Sequence, residues 1–162
     1  MRYLCWCPIS APLDAIAGVQ KGPTEMKYFS ALIFALLSSS AMAVGSSQGY
    51  GMGGQFSQFD PVVAAYNRSG ELFRIEGHCQ SACTLFLGIR NVCIEPGAQL
   101  LFHAGHDRQR NITAKSTNHM LAAYKPKLRQ YLVSNHHMDT LAFHTISGRE
   151  MIDTYGYKAC PR

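Results

Sequence analysis

Between Gly77 and His103 the chain reads GHCQSACTLFLGIRNVCIEPGAQLLFH, and this stretch constrains the fold more than any other. Leu72, Phe73 and Ile75, just before it, form a short half-apolar segment that reads as a strand ending at Gly77. From Ala82 to Leu87 the residues are small and then bulky-apolar, which suits a buried helix beginning at Ser81 and stopped by Gly88. Val92–Ile94 and Gln99–His103 read as two further short strands, separated by the Pro96-Gly97 turn. Strands alternating with helices at this spacing define an α/β chain.

The same stretch carries the candidate chemistry. Ser81 sits at a strand-to-helix turn, where its hydroxyl meets the positive end of a helix dipole and backbone N–H groups without helical partners. Such donors can hold the oxyanion of a tetrahedral acyl-transfer intermediate. The last strand ends in His103, a candidate base, and would return it to the same end of the sheet as Ser81.

Not all of the 162 residues belong to this unit. From Met26 the chain reads MKYFSALIFALLSSSAMA, with a lysine, an apolar run from Tyr28 to Leu37 and small residues ending Ala41-Met42-Ala43. That is the order of a secretory signal, and the run is too short to span a membrane comfortably. Cleavage after Ala43 is expected, giving a periplasmic or secreted protein with no membrane span once the signal is removed. Residues 1–25 precede this signal and read as a leader from a mis-assigned start at Met1, with Met26 the true initiator. Residues 44–54, VGSSQGYGMGG, read as a flexible Gly/Ser segment, and residues 55–162 as one domain.

After Ala43 there are twelve Lys and Arg against eight Asp and Glu. The excess is scattered, and the basic stripe with interleaved aromatics of a nucleic-acid-binding surface is absent. Cys79, Cys83, Cys93 and Cys160 remain, an even number in a chain read as exported, so two disulfides are expected. Four cysteines allow three pairings, and the sequence does not choose among them. A zinc site would need a second pair to match the C-x3-C spacing, and a histidine site would draw on His103, His106, Asp107, His119, His136, His137 and His144, with His103 and His106 spaced to share one ion. Neither metal nor cofactor is expected.

Elsewhere, Phe56, Phe59, Val63 and Tyr66 recur on one helical face. Pro61 either interrupts that helix or, with Asp60 as cap, starts it. Ala104–Ser116 is polar and reads as a loop bordering a groove. Thr117–Val133 reads as a helix bent at Pro126. Ser147 and Glu150 have capping-box spacing and start a last short helix through Thr154.

With those residues in view, G-x-C-x-S-A-C-T-L-F-L followed by P-x-A-x-L-x-F-H resembles the serine-to-histidine stretch of the Clp protease proteolytic subunit, in the ClpP/crotonase superfamily. Gly53-Gly54 resembles the family's glycine-rich oxyanion loop, and ISGREMIDTYG its ending. The chain from Gly53 to Gly156 is similar to small exported ClpP-like proteins of bacteria with an SACT motif and four cysteines. The resemblance implies a reduced ClpP/crotonase-like fold, with one layer of helices on a small sheet. It implies Ser81 as nucleophile, His103 as general base, and an oxyanion hole from the N–H of Ala82 and of Gly54 or Gln55. The substrate would be a peptide or small ester. A homo-oligomer is implied too, although the small size argues against the six- or seven-subunit ring of the true protease. At the position of the family's triad acid this chain has Phe143. Asp139 is the nearest upstream carboxylate and the candidate in its place, with Asp153 another possibility. The alternative is a non-catalytic binding or structural protein of the periplasm, in which Ser81 caps its helix and His103 is a hydrogen-bonded residue at a strand end.

Overall fold

The computed structural model describes residues 44–162. The expected leader and export signal lie outside the described residues. In chain order the elements are β1 Gly45–Ser46, α1 Phe56–Ser69, β2 Phe73–Ile75, β3 His78–Gln80, a 3-10 helix Ser81–Gly88, β4 Val92–Ile94, β5 Gln99–Phe102, α2 Ala114–Ala122, α3 Pro126–Ser134, β6 His144–Ser147, α4 Gly148–Asp153 and β7 Lys158–Ala159. The fold is mixed α/β. One sheet is four-stranded and parallel throughout, in the order β1-β2-β4-β7. The other has the order β3-β5-β6, with β3 parallel and β6 antiparallel to β5.

The core follows from the apolar runs. All three residues of β4 are buried, as a parallel strand covered on both faces requires. Phe86 of the 3-10 helix meets Phe73 of β2 at 4.5 Å between ring centroids, Phe59 of α1 at 5.4 Å and Tyr50 at 5.2 Å. These aromatic contacts join α1, the 3-10 helix and the larger sheet. Both cysteine pairs form disulfides. Cys93–Cys160 ties β4 to the C-terminal tail, and Cys79–Cys83 bridges the end of β3 to the 3-10 helix. Among the described residues no helix is long and apolar enough to cross a membrane.

Several expectations are corrected. Residues 44–54 are not a loose segment: Gly45–Ser46 pairs in register with Phe73–Arg74. Ser47 is buried, its Oγ donating to Glu76 O and its N–H to Arg74 O. The strand ending at Ile75 is followed after Gly77 by a separate one, β3, and it is β3 that delivers Ser81. The buried helix expected from Ser81 to Gly88 is present as a 3-10 helix, whose eight residues span about 16 Å, against about 12 Å for an α-helix of that length.

Pro61 neither starts nor ends α1. It lies inside a continuous 14-residue helix, whose packing through Phe59 outweighs the hydrogen bond that proline removes. The helix ends at Gly70, in the left-handed conformation at φ 73°. The segment expected to be one bent helix is two. Lys125 takes the extended ψ of 149° that a following proline favours, and Pro126 becomes the first turn of α3. At the other end, Thr113 caps α2 by accepting from Ser116 N–H. Ser147 caps the last helix as expected, its hydroxyl oxygen accepting from Glu150 N–H, but among the described residues the Glu150 carboxylate makes no return bond to Ser147 N–H, so the box is half formed.

Candidate active site

The smaller sheet brings the two candidate reacting groups to one edge. β3 and β5 run parallel with His78 opposite Gln99, Cys79 opposite Leu100 and Gln80 opposite Leu101. Continuing that register sets Ser81 beside Phe102, and His103 follows at the next position. Both line a cavity of about 920 Å³ together with Gly54, Gln55 and the loop after His103.

Ser81 is held in an unusual backbone conformation. Its φ is 54°, in the left-handed region, which costs a non-glycine residue about 1–3 kcal/mol. The surroundings enforce it. The Cys79–Cys83 disulfide closes a short ring around the residue. Thr84 Oγ1 donates to Ser81 O at 2.7 Å, so the Tyr124 hydroxyl, 2.6 Å from Thr84 Oγ1, is the donor to Thr84. Tyr124 is fully enclosed, and burial pushes its phenol up, so it stays a neutral donor. Among the described residues the Ser81 hydroxyl has no hydrogen-bond partner, yet no buried side-chain oxygen is unsatisfied. The hydroxyl is therefore open to the cavity.

His103 is almost wholly buried, at 4% exposure. Its Nδ1 lies 2.6 Å from the carbonyl oxygen of Ala104. A carbonyl only accepts, so Nδ1 carries the proton and Nε2 is left with its lone pair. Nε2 has no partner among the described residues and is not sealed off. Burial lowers the pKa of the ring below 6.5, and the nearby charges of His106 and Arg110 act in the same direction, against the Ala104 hydrogen bond. At neutral pH the imidazole is thus uncharged and in the tautomer a general base needs.

The candidate acid is not where the sequence suggested. Asp139 is exposed, and its Oδ2 accepts from His136 Nδ1 at 2.6 Å. Neither Asp139 nor Asp153 lines the cavity. Chain geometry explains this: Thr140 O accepts from Ala104 N–H at 2.8 Å, pinning the 135–143 loop so that Phe143 falls beside the imidazole. Its ring meets His103 edge-on, 5.0 Å between centroids and 86° between planes. Phe143, rather than a carboxylate, thus packs against His103, and the ring is oriented by the Ala104 carbonyl.

Of the oxyanion candidates, Gly54 and Gln55 line the cavity at the start of α1, and their N–H groups have no partner among the described residues. Ala82 is fully buried and is not part of the lining. Its nitrogen lies behind Gly53: a Cβ on Gly53 would come 3.4 Å from Ala82 N and 2.9 Å from Ser81 Cβ. The bare glycine keeps open the space beside Ser81. Gln80 tethers this loop, its N–H donating to Gly51 O and its Nε2 to Met52 O, both at 2.9 Å.

Gln80, Thr84 and Tyr124 were not singled out from the sequence as parts of the site. Thr84 carried a signal, being the one hydroxyl in the apolar run from Ala82 to Leu87. Tyr124 carried none, because its partner is 40 residues away. His103 and His106 stack with ring centroids 5.7 Å apart and planes at 24°, which turns ring faces, not lone pairs, toward each other. Among the described residues no three His, Cys, Asp or Glu side chains converge to hold a metal. No protein-family model matches the chain, and no curated protein matches it.

Proposed function

We propose that the protein is an exported serine hydrolase of the ClpP/crotonase kind, acting by acyl transfer on a peptide or small ester. The observation that carries this reading is the pairing of a strained, cavity-exposed Ser81 with a neutral His103 whose free Nε2 opens on the same cavity. In the reaction Ser81 Oγ attacks the carbonyl carbon while His103 Nε2 takes its proton. The tetrahedral oxyanion is held by the N–H groups of Gly54 and Gln55. The imidazolium then gives its proton to the leaving group, and water, activated by the same nitrogen, releases the acyl chain.

Replacing the family's carboxylate by a carbonyl has a definite cost. An acid both fixes the tautomer and stabilises the imidazolium, and losing both functions lowers rate by about 10⁴-fold. The Ala104 carbonyl retains the first, so the loss is smaller than that. Export is supported by the two disulfides, which persist in oxidising compartments.

A second reading, a non-catalytic binding scaffold on the same fold, is favoured because among the described residues no carboxylate bonds to His103 and no direct hydrogen bond joins Ser81 and His103. A fluorophosphonate probe separates the two. The hydrolase reading expects covalent labelling at Ser81, abolished in Ser81→Ala and slowed at least about 100-fold in His103→Gln. Labelling that is absent, or indifferent to both substitutions, removes it.

A further inference from the structure

The cavity's wall beyond His103 is charged in a way that the hydrolytic chemistry does not require. Arg108 and Arg110 both line it. Neither forms an ion pair among the described residues, whereas Arg74 is matched by Glu95. The carboxylate between them is already committed. Asp107 Oδ1 accepts from Gln109 N–H at 2.9 Å and Asn111 N–H at 2.8 Å, and Oδ2 from Asn111 Nδ2 at 3.1 Å. Those bonds, the Asn111 N–H first among them, lower the Asp107 pKa from its ordinary value, and they make its carboxylate an internal anchor of the loop.

The loop is also stiff. Its arms pair at His106 and Ile112, Asp107 N–H donates to Asn111 O at 2.9 Å, and Thr113 N–H donates to Gly105 O at 3.0 Å. The arginines are therefore carried on a preformed turn that begins three residues after the base. The same lining also carries the apolar side chains of Met52, Leu141 and Phe143. Met52 and Phe143 are exposed large apolar side chains, at 74% and 49% exposure.

We infer that the cavity selects a ligand bearing a carboxylate beside an apolar group, with Arg108 and Arg110 binding the carboxylate and Met52, Leu141 and Phe143 the apolar part. As a substrate assignment this rests on the Ser81–His103 reading, while the binding preference itself does not. Guanidinium forks match a carboxylate in shape and charge. The free N–H groups at the start of α1 add to the positive field of the same cavity. The carboxylate can belong to an acidic side chain or to a peptide C-terminus, and both present the same two oxygens.

The test uses the full chain carrying Ser81→Ala, so that ligands survive, and isothermal titration with three capped dipeptides. N-acetyl-phenylalanyl-glutamine amide is neutral, N-acetyl-phenylalanyl-glutamate amide has a side-chain carboxylate, and N-acetyl-phenylalanyl-glutamine has a free C-terminus. At least one anionic ligand is expected to bind about fivefold more tightly than the neutral one, the effect of two partly exposed ion pairs. Which of them does so identifies the source of the carboxylate. Adding Arg108→Gln and Arg110→Gln brings the ratio to about one, and so does raising salt from about 50 mM to about 500 mM. The inference is overturned if the neutral ligand binds as well as both others, if none binds, or if the ratio survives the arginine substitutions. Preference without fluorophosphonate labelling of the unsubstituted chain keeps the anion site and removes only the hydrolase reading.

Discussion

The two disulfides close loops of very different length, which predicts opposite rankings for stability and for activity. Cys93 and Cys160 are 67 residues apart, Cys79 and Cys83 only 4. In the chain-entropy account a cross-link stabilises by restricting the unfolded chain, with a loss of about 2.1 + 1.5R ln n cal/mol/K for n residues enclosed. At 25 °C that is about 4 kcal/mol for the long loop and about 2 kcal/mol for the short one. Cys79, Cys83 and Cys93 are all buried, so the packing lost on substitution by alanine is similar and largely cancels in the comparison. The Cys93→Ala/Cys160→Ala chain is therefore expected to be less stable than Cys79→Ala/Cys83→Ala by about 2 kcal/mol, a difference of roughly 1 M in the urea midpoint. Circular dichroism through a urea titration measures it. The short ring encloses Ser81, whereas the long one closes on β4 of the other sheet. Fluorophosphonate labelling in buffer is thus expected to slow by about tenfold or more in the short-ring variant and less in the long-ring variant. If the short-ring variant proves the less stable, the entropic argument fails. If it labels at the unsubstituted rate, the ring does not hold Ser81 in a reactive position.

Ser81→Gly releases the left-handed strain of a hydroxyl that has no protein partner. It is expected to stabilise the chain by up to about 1 kcal/mol in thermal melts while abolishing labelling, and a clear loss of stability would contradict the strain argument. Gly53→Ala has φ 73° against it, and its methyl would meet Gln80 O at 2.8 Å and Ser81 Cβ at 2.9 Å. A loss of about 1–3 kcal/mol together with labelling is expected, and a neutral result would mean the loop is free to move away. The depressed pKa values of His103 and His144 set the pH dependence. Both bind protons less readily folded than unfolded, so stability is full above pH 6.5, begins to fall there and is lost as pH drops through the folded values. Under the proposed hydrolase reading, labelling is expected to hold to pH values below 6.5 before His103 protonates, and an acid limb centred above 6.5 would exclude His103 as the proposed base.

How far this site could be read in advance depended on how local each part is. The strands around Ser81, the stop at Gly88, the Pro96-Gly97 turn and the Ser147 cap follow from interactions within a few residues, so their signals stand in the order of the side chains. Pro126 was legible as a disruption but not as a complete break, since the balance depends on what Leu128 and Leu132 bury.

By itself, then, the sequence determined an α/β chain with a serine at a strand-to-helix junction, a histidine at the end of a later strand, and four cysteines able to form two bonds. Only the tertiary structure decided that β3 and β5 lie side by side in register, which brings Ser81 and His103 to one cavity. It also chose the cysteine pairing, made an edge strand of Gly45–Ser46, and set Phe143 rather than Asp139 against the imidazole. The physical reason is that these outcomes rest on contacts between distant segments and on backbone groups. Every residue carries a carbonyl, so nothing in the letters distinguishes the one on Ala104 that accepts from His103 Nδ1.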